Sequence, residues 1–124
     1  MQNDNEKFKS EFKKRLYRFV LRLIKFIDSL DRKDPACRII GDQLLRSGTS
    51  ILGNYTEAKS ASSKKDFINF FTHSLKSANE SKMWLTLLRD AEKGDRKEID
   101  YLLAELIEIA NVLATSILTL KGRK

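Results

Sequence analysis

At 124 residues and 14.3 kDa the chain is long enough to bury one core, and we read residues 1–124 as a single domain. Hydrophobic residues at 41%, charged residues at 33%, one proline and five glycines exclude a disordered or β-rich chain and describe an all-α one. The net charge of +7 is unevenly spread: residues 1–33 hold ten Lys/Arg against five Asp/Glu, residues 95–120 hold two against five, and Lys121, Arg123 and Lys124 add a basic tail. That distribution fits two readings about equally, attraction to a polyanion such as nucleic acid or opposite charges on neighbouring helices.

The single cysteine, Cys37, forms no intramolecular disulfide, and no Cys/His spacing resembles a zinc site. The N-terminus lacks a signal-type apolar region, and no apolar run approaches the roughly 20 residues of a membrane span. The expectation is a cytoplasmic protein that is neither secreted nor inserted in a membrane.

A first helix is expected over about residues 6–30, where Phe12, Leu16, Phe19, Leu23, Phe26 and Leu30 step by four and three and Val20 and Ile27 widen the stripe. Lys14, Arg15, Arg18, Arg22 and Lys25 share another side of it. Tyr17, Leu21 and Ile24 form a third stripe, read equally as a subunit contact or as a thick core face. Asp34-Pro35 caps and starts a second helix over about 35–58, in which Leu45 and Leu52 are further candidates for an oligomer interface. Lys59 to Ser63 is a short polar connection, with Ser63 and Asp66 as a weak capping box opening a third helix over about 64–92. Gly94 is the expected left-handed terminator of that helix, and Asp95 with Glu98 the cap of a fourth over about 95–120. Ile99, Leu103, Leu106, Ala110, Leu113, Ile117 and Leu120 repeat through it, broadened by Leu102, Ile107, Ile109 and Ala114, which predicts the most deeply buried helix. Short connections between long helices predict an antiparallel up-down-up-down four-helix bundle.

Gln43, Ser47, Ser50, Asn54 and Glu57 lie close to one line on the second helix, beside the apolar stripe of Ile40, Leu44, Ile51 and Tyr55. Ser74, Ser77 and Ser81 sit within the apolar face of the third helix. Reversal about Ser60 places Ser47 near the level of Ser74 to Ser77 and Gln43 near Glu80. A hydrogen-bonded seam is predicted between the two helices, one that sets register more than it adds stability; a ligand pocket is the lesser reading. Glu80 and Trp84, four apart, read as a groove filler with a polar partner such as Gln43 or Arg46, ahead of a partner-binding notch.

No chemistry-bearing constellation emerges. His73 is the only histidine and has Phe70 three residues before it, which rules against a di-iron bundle site. Cys37 has no histidine close to it in sequence, the serines are spread along helix faces, and Gly41, Gly48 and Gly53 fall within one helix instead of forming a phosphate loop; close helix contact or local flexing is the expected role of these glycines. No catalytic residue, metal or cofactor is assigned. Lys14, Arg15, Arg18, Arg22 and Lys25, joined by Lys121, Arg123 and Lys124, make a phosphate-binding surface without a base-reading motif.

Two stretches carry a family resemblance. QLLRSGTSILGNYTEA, residues 43–58, resembles the signature of bacterial four-helix bundle proteins first noted as products of intervening sequences in 23S ribosomal RNA genes. KKDFINFFTHSLKSANESKMWL, residues 64–85, is similar to the family's second signature. The matching positions are Gln43, Arg46, Ser47, Ser50, Asn54, Glu57, Ser77, Ala78, Glu80, Trp84 and Leu85, none of them an established catalytic residue. The chain departs at Tyr55-Thr56-Glu57-Ala58, where many members have Ile-Ala-Glu-Gly, so the glycine that would end the helix is missing. The family is similar in fold to the accessory variability proteins of diversity-generating retroelements. The resemblance therefore implies a homopentameric basic ring, with nucleic acid and a reverse transcriptase as partners. Two functions stand side by side: a non-enzymatic oligomer that binds RNA or DNA electrostatically, and a structural or protein-interaction module in which basic helix one meets acidic helix four of a neighbour.

Overall fold

The computed structural model describes residues 4–122. Four α-helices follow in order, α1 (Asp4–Asp28), α2 (Pro35–Ala58), α3 (Lys64–Asp90) and α4 (Arg96–Leu120). The long-range contacts define their directions. Ser47 meets Ser81 and Ser50 meets Ser77, so α2 and α3 are antiparallel. Arg15 meets Glu105 and Arg22 meets Glu98, so α1 and α4 are antiparallel. Gly41 faces Ile27 and Leu30 while Gly48 faces Leu23, which reverses α2 against α1 and makes the chain alternate up and down.

The core is built from the expected α1 stripe together with Leu44, Ile51, Leu85, Leu88, Ile99, Leu102, Leu106, Ile109 and Leu113. Side chains of this size contribute about 1.5–3 kcal/mol each when fully buried. By length and composition alone α4 is long and apolar enough to cross a membrane, contrary to the expectation of no such run. Its apolarity is explained by the bundle: Ile99, Leu102, Leu106, Ile109 and Leu113 are fully enclosed, and mid-helix Glu105 is clamped by Arg15. Ile107, expected to broaden the core face, is 51% exposed because it falls on the outer flank of α4.

The helix ends follow local chemistry. Asp34 accepts from the Cys37 N–H at 3.1 Å with Pro35 behind it, and Ser63 accepts from the Asp66 N–H at 3.1 Å. α1 begins two residues before the expected start and ends two before the expected stop, because Ser29 and Leu30 have passed into a tight turn, with N–H groups bonded to Phe26 and Ile27. α3 stops at Asp90 instead of Glu92. There the Lys93 N–H bonds to the Leu88 carbonyl and the Glu92 N–H to that of Arg89, a Schellman pattern with Glu92 at φ 58 in the left-handed position. Gly94 is also left-handed, at φ 78, but lies beyond the helix, pressed against Phe26 and Leu30. Asp95 occupies the cap position of α4 without a side-chain cap bond, and Glu98 does not close a capping box, because its carboxylate is taken by Arg22.

The expected α2–α3 register is corrected by about one helical turn. Lys59, Ser60 and Ala61 donate to Thr56, Glu57 and Ala58, so the chain keeps turning past the end of α2 before it reverses. Ser47 consequently meets Ser81, not Ser74 to Ser77.

Two glycines of α2 predict opposite outcomes. A Cβ on Gly48 would lie 2.2 Å from Cδ2 of the fully buried Leu23, whereas one on Gly53 meets nothing within 4 Å. Gly48→Ala is expected to lose about 1–2 kcal/mol by overpacking, and Gly53→Ala to gain up to about 1 kcal/mol of helix propensity. Urea unfolding of both variants measures the signs.

Candidate nucleic-acid interface

The polar seam is present, with Ser47, Ser74 and Ser81 buried at its centre and Ser50, Asn54 and Ser77 partly exposed. The Ser47 and Ser81 hydroxyls, both fully buried, are 2.7 Å apart, and Ser81 also donates to the Ser77 carbonyl at 2.9 Å. Ser74 donates to the Ile51 carbonyl at 2.8 Å and Ser77 to Ser50 Oγ at 3.0 Å. Asn54 closes one end on Ser50, through both its carbonyl and its hydroxyl. At the other end Arg46 bonds Gln43 and Glu80, and Glu80 also accepts from the Trp84 indole at 3.0 Å. Gln43 therefore reaches Glu80 only through Arg46. Glu57 is exposed and takes no part. Among the described residues every buried side-chain nitrogen or oxygen has a partner. Ser47→Ala and Ser81→Ala are each expected to cost about 1 kcal/mol and to couple by about 0.5–1 kcal/mol in a double-mutant cycle read by urea unfolding.

The basic stripe of α1 is divided by α4. Arg15 holds Glu105 in a two-pronged pair with both contacts at 2.8 Å. Arg22 holds Glu98 at 2.7 and 3.0 Å, with its guanidinium carbon 3.5 Å from the centre of the Tyr101 ring. These hydrogen bonds keep Glu105 and Glu98 below the usual carboxylate range and raise the two arginines. Lys14, Arg18 and Lys25 remain exposed, and so does Lys121 at the end of α4; Arg123 and Lys124 lie outside the described residues. The helix-one to helix-four charge pairing expected between neighbours thus forms, for Arg15 and Arg22, within one chain. Glu105→Gln is expected to cost about 0.5–1 kcal/mol near neutral pH, given the partial exposure of the pair. Because folding depresses the Glu105 pKa, that gap is full above the ordinary carboxylate range and closes as pH falls through it and below. Thermal melts of both proteins across pH 7 to pH 3 follow it.

A cleft that the sequence reading missed lies where α1 and α3 begin and α2 and α4 end. It encloses about 560 Å³ and is lined by Glu6, Lys9, Ser10, Lys13 and Lys14 of α1, Tyr55 and Lys59 around the end of α2, and Phe67 and Phe71 of α3. Its aromatic floor is one packed set: Tyr55 lies 5.2 Å from Phe12 edge-on and 5.4 Å from Phe71, and Phe67 stacks on Phe71 at 4.7 Å. Tyr55 and Phe71 are buried, whereas Phe67 is partly open. Burial pushes the Tyr55 phenol up, so it stays neutral, donating to the Lys9 carbonyl at 3.4 Å. Lys59 reaches over the Tyr55 ring at 5.7 Å. None of Lys9, Lys13, Lys14 and Lys59 is in an ion pair among the described residues. An i, i+4 pair of phenylalanines at the start of α3 was the only sequence signal; the lysines converge on it only after folding.

This end of the bundle is also the basic one. Residues 4–14, 55–66 and 117–122 carry eight basic against five acidic side chains, whereas residues 26–42 and 88–100 at the opposite end carry seven against nine. The opposite end binds its own cations, with Arg32 on Asp42, Arg89 on Asp90, Arg96 on Asp100 and Lys93 on Asp34.

The remaining singled-out residues scatter. Tyr17, Leu21 and Leu45 are exposed, Tyr17 by 57%, while Ile24 and Leu52 are partly buried against the core. His73 is exposed and Cys37 is buried, where desolvation pushes its thiol up. No three His, Cys, Asp or Glu side chains gather as a metal site among the described residues.

The chain matches, over residues 9–115, the family model described as 23S rRNA-intervening sequence protein. Among solved structures it is similar to a protein of unknown function from the S23 ribosomal protein family of Bacteroides thetaiotaomicron VPI-5482. The two are 34% identical with a TM-score of 0.79, over 86% of this chain and 97% of that one. No curated protein matches it. With nearly its whole bundle inside the family model, and all but the Glu57 signature position gathered in or beside the α2–α3 seam, the chain belongs to the 23S rRNA-intervening sequence protein family.

Proposed function

We propose that this chain is a non-enzymatic, self-associating bundle that binds RNA or DNA electrostatically, through the basic end of the bundle. The observation that carries this reading is the contrast between two sets of cations. Arg15 and Arg22, on the middle of α1, are neutralised in place by Glu105 and Glu98. Lys9, Lys13, Lys14 and Lys59 converge on one cleft, and none of the four is in an ion pair among the described residues. Unneutralised cations on one face concentrate positive potential and attract phosphates. Lys121 at the same end and Arg18 further along α1 extend the same field.

Self-association is the assembly that the family resemblance implies, and exposed Tyr17, Leu21 and Leu45 are its candidate contacts. Five copies is the number the resemblance implies. A purely structural module assembled by charge is the weaker reading, since α1 and α4 already pair within one chain. A reverse-transcriptase accessory role has the resemblance alone behind it.

Size-exclusion chromatography with light scattering, run with and without RNA and DNA, is expected to show an assembly larger than a monomer that persists at high salt and retains nucleic acid only at low salt. Charge reversal at Lys13 and Lys14 together is expected to weaken binding and flatten its salt dependence by roughly 0.7–0.9 in log–log slope per lost phosphate contact. Arg22→Gln is expected to leave affinity within about twofold, because Arg22 is already occupied. A monomer indifferent to both polynucleotides contradicts the proposal.

A further inference from the structure

We infer that the bundle-end cleft accepts an unpaired nucleobase, so that the protein prefers single-stranded to duplex nucleic acid. This rests on the nucleic-acid reading above and adds what the site distinguishes. Its volume of about 560 Å³ falls within the range of small-ligand pockets, roughly 300–1,000 Å³, which is more than a surface that only tracks phosphates requires.

The cleft combines two chemistries at one mouth. Lys9, Lys13 and Lys14 on α1 and Lys59 at the end of α2 stand on its walls, and Phe67 and Phe71 of α3 complete it. Tyr55 and Phe71 are buried among other rings, leaving Phe67 as the face a flat ligand can reach. The Phe71 ring stacks against it, 4.7 Å away and 27° from parallel. A partly open aromatic ring in a cleft lined by four lysines fits a base stacked beside its own phosphates, the arrangement by which proteins bind single strands without reading sequence. The strand's phosphates run across the lysines of the wall, Lys9, Lys13, Lys14 and Lys59. In a duplex each base is stacked between its neighbours and presents no face, so only the lysines engage. Sequence tolerance follows as well, since every base has a π-face and no side chain is arranged to read an edge.

Fluorescence anisotropy with one labelled oligoribonucleotide, alone and annealed to its complement, tests this at a single low ionic strength. Wild type is expected to bind the single strand more tightly than the duplex. Phe67→Leu keeps apolar bulk but removes the π-face, and should weaken the single strand about tenfold while leaving the duplex within about twofold. Phe67→Tyr restores the ring and should behave as wild type, and circular dichroism melting checks that each variant folds. If Phe67→Leu and Phe67→Tyr bind the single strand alike, or if both polynucleotides lose affinity together, base insertion is overturned while electrostatic binding stands. If wild type binds neither, both fall.

Discussion

The hydrogen bond between the Ser47 and Ser81 hydroxyls is the constraint on which the rest of this bundle depends. Both groups are fully buried, so neither finds water if the other moves. Formed, the contact contributes about 1 kcal/mol; broken, it leaves each buried hydroxyl only the carbonyl of its own preceding turn, Leu44 for Ser47 and Ser77 for Ser81, a penalty of about the same size. Serines repeated along both helices multiply that penalty, so α2 and α3 settle in one register. That register puts Tyr55 beside Phe71 and leaves Phe67 a turn beyond it, at the cleft. A slip of one turn towards the simple reversal about Ser60 would bring Phe67 itself beside Tyr55 and remove the open aromatic face.

Charge is organised on the same frame. α4 brings Glu98 and Glu105 against α1 and quenches two of its arginines, while the end built from the start of α1, the end of α2 and the start of α3 keeps its lysines unpaired. The opposite end balances its cations against Asp34, Asp42, Asp90 and Asp100. The molecule's positive charge therefore has a direction, which the net value of +7 does not convey.

Much of the fold is legible in the residues because its determinants are local. Asp34-Pro35, Ser63 and the alternating four-three spacing of α1 and α4 operate within a turn or two of themselves. The misreadings arise where distant groups compete. Glu98 looks like a capping residue until Arg22, 76 positions away, takes its carboxylate. Gly94 looks like the helix stop, yet Glu92 accepts the left-handed conformation because the Schellman bonds and packing settle there first. The seam's members were readable and its register was not, since three backbone bonds after Ala58 carry the chain a further turn. The cleft escaped notice for the same reason: its lysines and rings come from three helix ends that only the completed register joins.

Lysine-reactivity footprinting by mass spectrometry, with and without single-stranded RNA at low salt, tests most directly whether the basic end is the binding face. Binding there predicts protection of Lys9, Lys13, Lys14 and Lys59, with Lys33, Lys76 and Lys97 as reactive as in the free protein. Protection centred on Lys33 and Lys97, or spread evenly over all the lysines, contradicts it.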